Sequence, residues 1–299
     1  MTCYHPIIGW RSQAGRNPAT GLWPIVFNRR DGYSDLEVQV PCGRCIGCRL
    51  ERSRKWAMRC VHEASLYKDN CFITLTYDDF HLDPSGSLNV EDYQLFMKRL
   101  RKHFGSGVRF FHCGEYGELY GRPHHHAILF NCDFNDKELI FHNAKTGFNL
   151  YSSNLLGTLW PFGLHSIGNV SFESCAYVAR YIMKKVTGDD ANSHYHGRKP
   201  EYVTMSRRPG IGHDWICKYI DDVYPHDFVI IRNGIKCKPP AYYDNIYDSI
   251  MSNSNLSGIK YARKKYAIDH AVDNTPSRLA VKEECLNIKL DKLTRNLPA

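Results

Sequence analysis

The chain lacks long apolar runs. Cys175 to Ala179 and Phe228 to Ile231 are among its longest hydrophobic stretches, far short of the roughly 18 residues that a membrane span needs. A helical membrane protein is therefore excluded, and no membrane partner is expected. The first residues, Met1-Thr2-Cys3-Tyr4-His5-Pro6, carry no basic flank followed by an apolar stretch, so no secretory leader is expected. The chain shows no internal repeat and no helicase motif, which leaves any unwinding of a duplex to another protein. Acidic residues are in deficit. Against 39 Lys and Arg stand 31 Asp and Glu, a net charge of +8 with 15 histidines left out. That surplus, with 13% aromatics, suits a polyanionic partner.

What is present is ordinary for a folded protein: 43% hydrophobic and 23% charged residues in 299. This excludes wholesale disorder and allows one large domain or two modest ones. Twelve cysteines in a chain without an export signal point to reduced thiols and metal ligands rather than disulfides.

Residues 1–48 are rich in turn formers. An amphipathic helix is expected from about Arg49 to Tyr67, with Ala57, Cys60, Val61, Ala64 and Tyr67 on its apolar stripe. Cys71 to Tyr77 reads as a strand. Asn89 is placed to cap a helix running to about Phe104. Val108 to Cys113 and His124 to Phe130 read as further strands, Leu164 to Val170 as another, and Ser174 to Val186 as a helix. Asn233-Gly234 between two short apolar runs marks a hairpin. Residues 250–299 are polar and helical in part. The element order over 70–187 predicts an antiparallel sheet with helices on one side.

Two segments carry chemistry. The first is Arg122 to Phe130, RPHHHAILF. Alternate side chains of a strand share a face, so His124 and His126 point one way and His125 the other. Two such imidazoles can chelate one divalent cation, with a carboxylate to complete an open site. Glu115, at the end of the preceding strand, is preferred over Glu118 for that role. The second is Cys175 to Val186, CAYVARYIMKKV. At ~100° per residue, Tyr177, Tyr181, Lys184 and Lys185 fall on one stripe, opposite Cys175, Val178, Ala179, Ile182, Met183 and Val186. The tyrosines are then expected to face away from the helix's core side. A phenol becomes a useful nucleophile when nearby positive charge favours its phenolate. Together the two segments fit attack of a tyrosine on a DNA phosphate beside a metal ion.

A His-x-His strand followed some fifty residues later by Tyr-x-x-x-Tyr with lysine resembles the HUH endonuclease superfamily. CFITLTYDD (71–79) is similar to that family's first motif. The wider chain resembles the rolling-circle replication initiators of gokushoviruses, through VPCGRCIGCRLERSRKWAMRC (40–60), CGEYGELYGRPHHHAILF (113–130), SCAYVARYIMKK (174–185) and MSRRPGIG (205–212). The likeness covers about residues 40–240.

It implies an α+β fold with an RRM-like, ferredoxin-like antiparallel sheet, extended by a Cys-rich N-terminal region and a mixed C-terminal region. The corresponding division is 1–60, 61–190 and 191–299. It implies nicking of a viral origin, single-stranded or in supercoiled duplex, in the cytoplasm of the bacterial host. The products would be a 5′-phosphotyrosine and a free 3′-OH for the host polymerase, with a host helicase for unwinding. A second tyrosine would then join the displaced strand into a circle. Tyr177 and Tyr181 match the paired nucleophiles, His124 and His126 the metal pair, and Glu115 the third ligand, with Mg²⁺ or Mn²⁺ as the ion. The family motif has a bulky apolar residue between its histidines, where this chain has His125.

Cys42, Cys45 and Cys48 stand at C-x-x-C-x-x-C spacing. A structural Zn²⁺ needs a fourth ligand, from Cys3, His5, Cys60 or His62, with Cys3 first in order. A ferredoxin-type cluster fits less well, because Arg52 stands where its fourth cysteine belongs. Arg44, Arg49, Arg52, Arg54 and Lys55 make a phosphate-contacting surface, and Arg207 and Arg208 a second DNA contact. Two other readings compete with a nickase: a zinc-containing origin-binding protein without catalysis, and a metallonuclease in which water attacks.

Overall fold

The computed structural model describes residues 3–19, 21–117, 120–144, 147–184, 190–231, 234–251 and 254–292. These fall into two compact units, one drawn from Met1–Arg52 and Ala262–Thr294, the other from Ser53–Tyr261. Among the described residues no helix is long and apolar enough to cross a membrane.

The first unit opens with β1 (Ile7–Ser12), β2 (Ile25–Val26) and β3 (Gly32–Val40), an antiparallel sheet in the order β2-β1-β3. The sequence alone predicts only turns here. These strands are mostly exposed, so the backbone ladder holds them without the alternation of apolar residues that betrays a half-buried strand. The helix α1 (Ile46–Ala64) follows. Near the end of the chain come α9 (Ser254–Asp269) and α10 (Pro276–Asp291).

The second unit is built on a seven-stranded sheet. Its elements are β4 (Asn70–Tyr77), α2 (Val90–Phe104), β5 (Arg109–Tyr116), β6 (Pro123–Phe130), β7 (Lys137–Asn143), β8 (Phe148–Ser153), α3 (Asn154–Leu159), β9 (Gly163–Gly168), α4 (Phe172–Lys184), α5 (Asp190–Tyr195) and β10 (Tyr202–Met205). The strand order is β10-β5-β6-β4-β9-β8-β7, with every pairing antiparallel. This is the α+β architecture that the resemblance implied. Beyond it lie α6 (His213–Lys218), α7 (Ile220–Val223), the small hairpin of β11 (Val229–Ile230) and β12 (Lys236–Cys237), and α8 (Ala241–Ile250). The hairpin falls where Asn233-Gly234 called for one, although Asn233 itself lies outside the described residues.

Helices cover both faces of the sheet rather than one. The face carrying Ile73, Leu75, Ala127 and Leu129 packs on Tyr93, Phe96, Met97 and Leu100 of α2. The opposite face, with Phe72, Phe111, Cys113, Ile128 and Phe130, packs on Ala57 and Cys60 of α1 and Cys175, Val178 and Ala179 of α4. The reason is visible in β6, whose Ala127 to Phe130 is an unbroken buried apolar run. A strand apolar on both sides needs cover on both sides. A third cluster joins Met58 to Ile216, Val223, Tyr243, Ile246 and Leu256.

Local signals set the ends of α2. The Asn89 side chain accepts from the Glu91 N–H, Glu91 and Asp92 occupy the first turn, and Arg101, Lys102 and His103 the last. Each charge complements the helix dipole. Gly105, at φ 93°, ends the helix and donates its N–H to the Arg101 carbonyl.

Candidate active site

The register of β4, β5 and β6 assembles the site. Thr74 stands opposite His126 and Thr76 opposite His124 on one side of β6. On the other side Cys113 stands opposite His126 and Glu115 opposite His124. β5 runs three residues further than the sequence alone places it, so Glu115 lies inside the ladder. By the two-residue period, Thr74, Thr76, Glu115, His124 and His126 share the face covered by α4.

Hydrogen bonds orient the two imidazoles alike. His124 Nδ1 lies 2.9 Å from Thr76 Oγ1, and His126 Nδ1 lies 2.9 Å from Thr74 Oγ1. With each Nδ1 engaged by a hydroxyl, each Nε2 is left for other partners. His126 Nε2 lies 2.7 Å from Glu115 Oε1, and both side chains are buried. His124 Nε2 abuts Gly117, where a Cβ would lie 2.7 Å from it. Burial pushes the His124 imidazole down to about 4, with the charges of His126 and Arg122 adding to the effect. It is therefore neutral near pH 7 and keeps a lone pair to donate. Two Nε2 atoms and a carboxylate, with both Nδ1 atoms held from behind, are a donor set that suits a divalent cation. The threonines were not singled out from the sequence, although their i, i+2 spacing in FITLTY matches that of the histidines.

His125 points into the other layer. Its Nε2 lies 3.0 Å from the Tyr77 hydroxyl and its Nδ1 lies 3.2 Å from His112 Nε2. Tyr77 donates to Asp92 at 2.8 Å, and His112 Nδ1 meets Thr204 Oγ1 at 2.8 Å. Burial holds His125 down at about 3 and His112 well below its ordinary range. This buried polar chain takes the place of the bulky apolar residue of the family motif.

α4 brings Tyr177 to the histidines. Helical periodicity alone turns both tyrosines away from the core side of this helix. Instead the Tyr177 ring is half-buried and lies edge-on to His126, with ring centroids 5.2 Å apart, and edge-on to Phe72 at 6.1 Å. The apolar stripe of Cys175, Val178 and Ala179 is buried as expected. Docking of that stripe onto Phe72, Ile128 and Phe130 carries the flank of the helix over β6, and Tyr177 with it. Arg180 sits 5.6 Å from the Tyr177 ring centroid. Tyr181 and Lys184 lie on the last turns of α4, with side chains outside the described set. Lys185 and Glu118 lie outside the described residues.

The cysteines gather in the first unit. One sulfur from each of Cys3, Cys42, Cys45 and Cys48 lies within 4.8 Å of the others, a group that can hold a metal such as zinc. The other candidates for the fourth position are engaged elsewhere. Cys60 is in the apolar core, and His62 Nδ1 meets the Tyr243 hydroxyl at 2.9 Å, while His5 pairs with Glu283. Burial alone would raise the Cys45 thiol, but N–H donors from Cys48 and Tyr4 and the neighbouring thiols bring it to about 6.

Among the predicted phosphate contacts, Arg44, Arg52, Arg207 and Arg208 are exposed, whereas Arg49, Arg54 and Lys55 are half-buried. The loop bearing Arg207 and Arg208 is pinned beneath. Arg109 donates to the Pro209 carbonyl at 2.9 Å, Arg59 to that of Ile211 at 2.9 Å, and the Gly212 N–H to Glu63 at 2.6 Å. Its glycines make room for aromatic rings rather than a phosphate: a Cβ at Gly210 would strike the Tyr242 hydroxyl, and one at Gly212 that of Tyr243.

Residues 70–186, the span that holds all of these histidines and tyrosines, match the family model for the ORF2 class of replication-associated protein. Over 257 residues the chain is 36% identical to Replication-associated protein VP4 of Bdellovibrio phage phiMH2K, covering 83% of this chain and 77% of that protein. It is 35% identical over 241 residues to Replication-associated protein ORF2 of Spiroplasma virus 4, covering 76% and 74%. It is 29% identical over 242 residues to Replication-associated protein ORF4 of Chlamydia phage 1, covering 77% and 60%. No solved structure matches.

Proposed function

This chain belongs to the replication-associated proteins of bacterial viruses, and from that premise we propose that it starts replication of a viral genome by nicking one DNA strand at the origin with a tyrosine. The observation that carries the reading is the Tyr177 ring against His126, on the face that also presents His124 and Glu115. A candidate nucleophile and a candidate cation site are thereby adjacent.

In this reading Tyr177 Oη attacks the scissile phosphorus and the P–O3′ bond breaks. The 5′ end stays on the enzyme as a phosphotyrosine, and the 3′-OH is freed as a primer. Because the phosphodiester energy is kept, a later 3′-OH can reverse the linkage without ATP, and Tyr181 supplies a second such exchange that circularises the displaced strand. Mg²⁺ or Mn²⁺ held by His124, His126 and Glu115 would withdraw negative charge from the phosphate. Thr74 and Thr76 fix the tautomers of both imidazoles. Lys184 and Lys185 favour the phenolate by their charge. Arg207 and Arg208, with Arg44 and Arg52, contact the DNA backbone. The setting is the host cytoplasm, with host polymerase and helicase completing the replication machinery.

The test is incubation of the full chain with end-labelled single-stranded oligonucleotides tiling its genome, with Mg²⁺ or Mn²⁺, on denaturing gels with and without protease. A protease-sensitive shifted band that disappears in EDTA and in Tyr177→Phe/Tyr181→Phe supports the reading. Cleavage without an adduct means that water attacks. Tight origin binding with no cleavage makes the protein a binding module.

A further inference from the structure

The first unit has almost no hydrophobic core. Among the described residues of Met1–Arg52 and Ala262–Thr294, the one fully buried hydrophobic side chain is Leu279, while all three apolar clusters of the protein lie within 57–256. β3 is largely exposed, and α10 buries Leu279 alone. A unit of this kind cannot offset the entropy of ordering its chain by apolar burial and needs another staple.

The four cysteines supply one. Cys42 Sγ lies 4.0 Å from Cys48 Sγ, and Cys45 Sγ lies 3.9 Å from Cys3 Sγ. A tetrahedron with ~2.3 Å Zn–S bonds places its sulfurs about 3.8 Å apart. Gly43, at φ 75°, makes the turn between Cys42 and Cys45. Backbone N–H groups point at the sulfurs, as a charged thiolate cage requires. Cys42 N–H donates to Cys3 at 3.2 Å, Cys45 N–H to Cys42 at 3.3 Å, and Tyr4 N–H to Cys45 at 3.4 Å. A polynuclear iron–sulfur cluster would need its sulfurs spread around a larger body.

The cage also touches the last helix of the unit through the residues next to Cys3. Tyr4 lines a cavity of about 400 Å³ with Arg278, Lys282, Leu286 and Lys289 of α10. His5 Nε2 meets Glu283 of the same helix at 2.7 Å.

We propose that Cys3, Cys42, Cys45 and Cys48 bind one zinc ion, and that this ion is the staple of the first unit. It ties the N-terminal segment to the first turn of α1, closes the β1–β3 sheet into a loop, and through Tyr4 and His5 holds α10. Binding replaces the thiol protons, which leave to solvent, and its free energy is folding energy for the unit.

The full chain, purified without chelator, is analysed for metal, then exchanged with Co²⁺ and followed by hydrogen exchange. One zinc per chain, tetrahedral thiolate–cobalt absorption, and loss of both in Cys3→Ser and Cys48→Ser but not in Cys217→Ser support the proposal. In the metal-free state amide exchange in 7–40 and 276–291 accelerates by about tenfold or more, while 70–130 keeps its protection. Should the serine variants fail to fold, the cobalt spectrum and stepwise removal of metal from the unmodified chain decide. A folded, metal-free chain with full protection in 7–40 overturns the proposal, as does an iron–sulfur chromophore or a mass showing disulfides among the four cysteines.

Discussion

Acid should destabilise the second unit well above the pH at which carboxylates titrate, and His62 provides a measurable case. Its imidazole is 5% exposed, stacks on Trp215 at 3.5 Å and meets the Tyr243 hydroxyl at 2.9 Å. Burial pushes it down to about 3 from an ordinary value of 6.5. Between these values the unfolded chain takes up a proton that the folded chain refuses. The contribution of neutral His62 is therefore complete above pH 6.5 and is lost as pH falls. At pH 5 the loss is about 1.5 pH units at 1.36 kcal/mol each, or ~2 kcal/mol. His125, fully buried and at about 3, obeys the same arithmetic. The two together approach ~4 kcal/mol, against a total stability of roughly 5–15 kcal/mol for a domain. Asp78, Asp83 and Asp136 are held below the ordinary carboxylate range, so their contributions persist through this window. The assay is urea unfolding at pH 7 and pH 5 at constant ionic strength, comparing the unmodified chain with His62→Gln, whose amide can still meet Tyr243. The variant should lose about 2 kcal/mol less between the two pH values. Equal losses in both proteins, or an NMR titration of His62 near 6.5, would refute the reasoning.

Thr74→Val removes the hydroxyl that faces His126 Nδ1 while keeping the shape of the side chain. It should weaken the Mn²⁺ dependence of cleavage by roughly 10–100-fold, read from a metal titration, with little change in the melting temperature. Gly117→Ala places a methyl group 2.7 Å from His124 Nε2. Metal-supported cleavage should fall sharply while circular dichroism stays the same; full activity would show that His124 is free to move aside. Phe96→Ala opens a hole in the core between α2 and the sheet, where Phe96 is 0% exposed, and should cost about 3–5 kcal/mol in urea unfolding with an unchanged m-value.

Periodicity made the centre of the fold legible. FITLTY and HHHAILF have strand character over their whole length, and Asn89 marked a helix start that the structure keeps. The N-terminal sheet was illegible because its strands are exposed and carry no alternation. The hairpin of β7 and β8 was missed for the same reason, with Leu139, Ile140 and Phe141 of β7 all exposed in succession. Helices on both faces were missed because element order alone does not say which face a helix covers.

By itself the sequence determined that His124 and His126 share a face and that His125 does not, since strand side chains alternate whatever the strand packs against. It likewise placed three cysteines within one short turn. Only tertiary structure decided what stands opposite those residues. Strand register brought Thr74, Thr76 and Glu115 to the histidines, and docking of the buried stripe of α4 swung Tyr177 onto His126. The sheet β1–β3 returned the chain from Cys3 to Cys42. Alternation is a property of the local backbone, whereas partners distant in the chain are chosen by packing free energy summed over the whole unit.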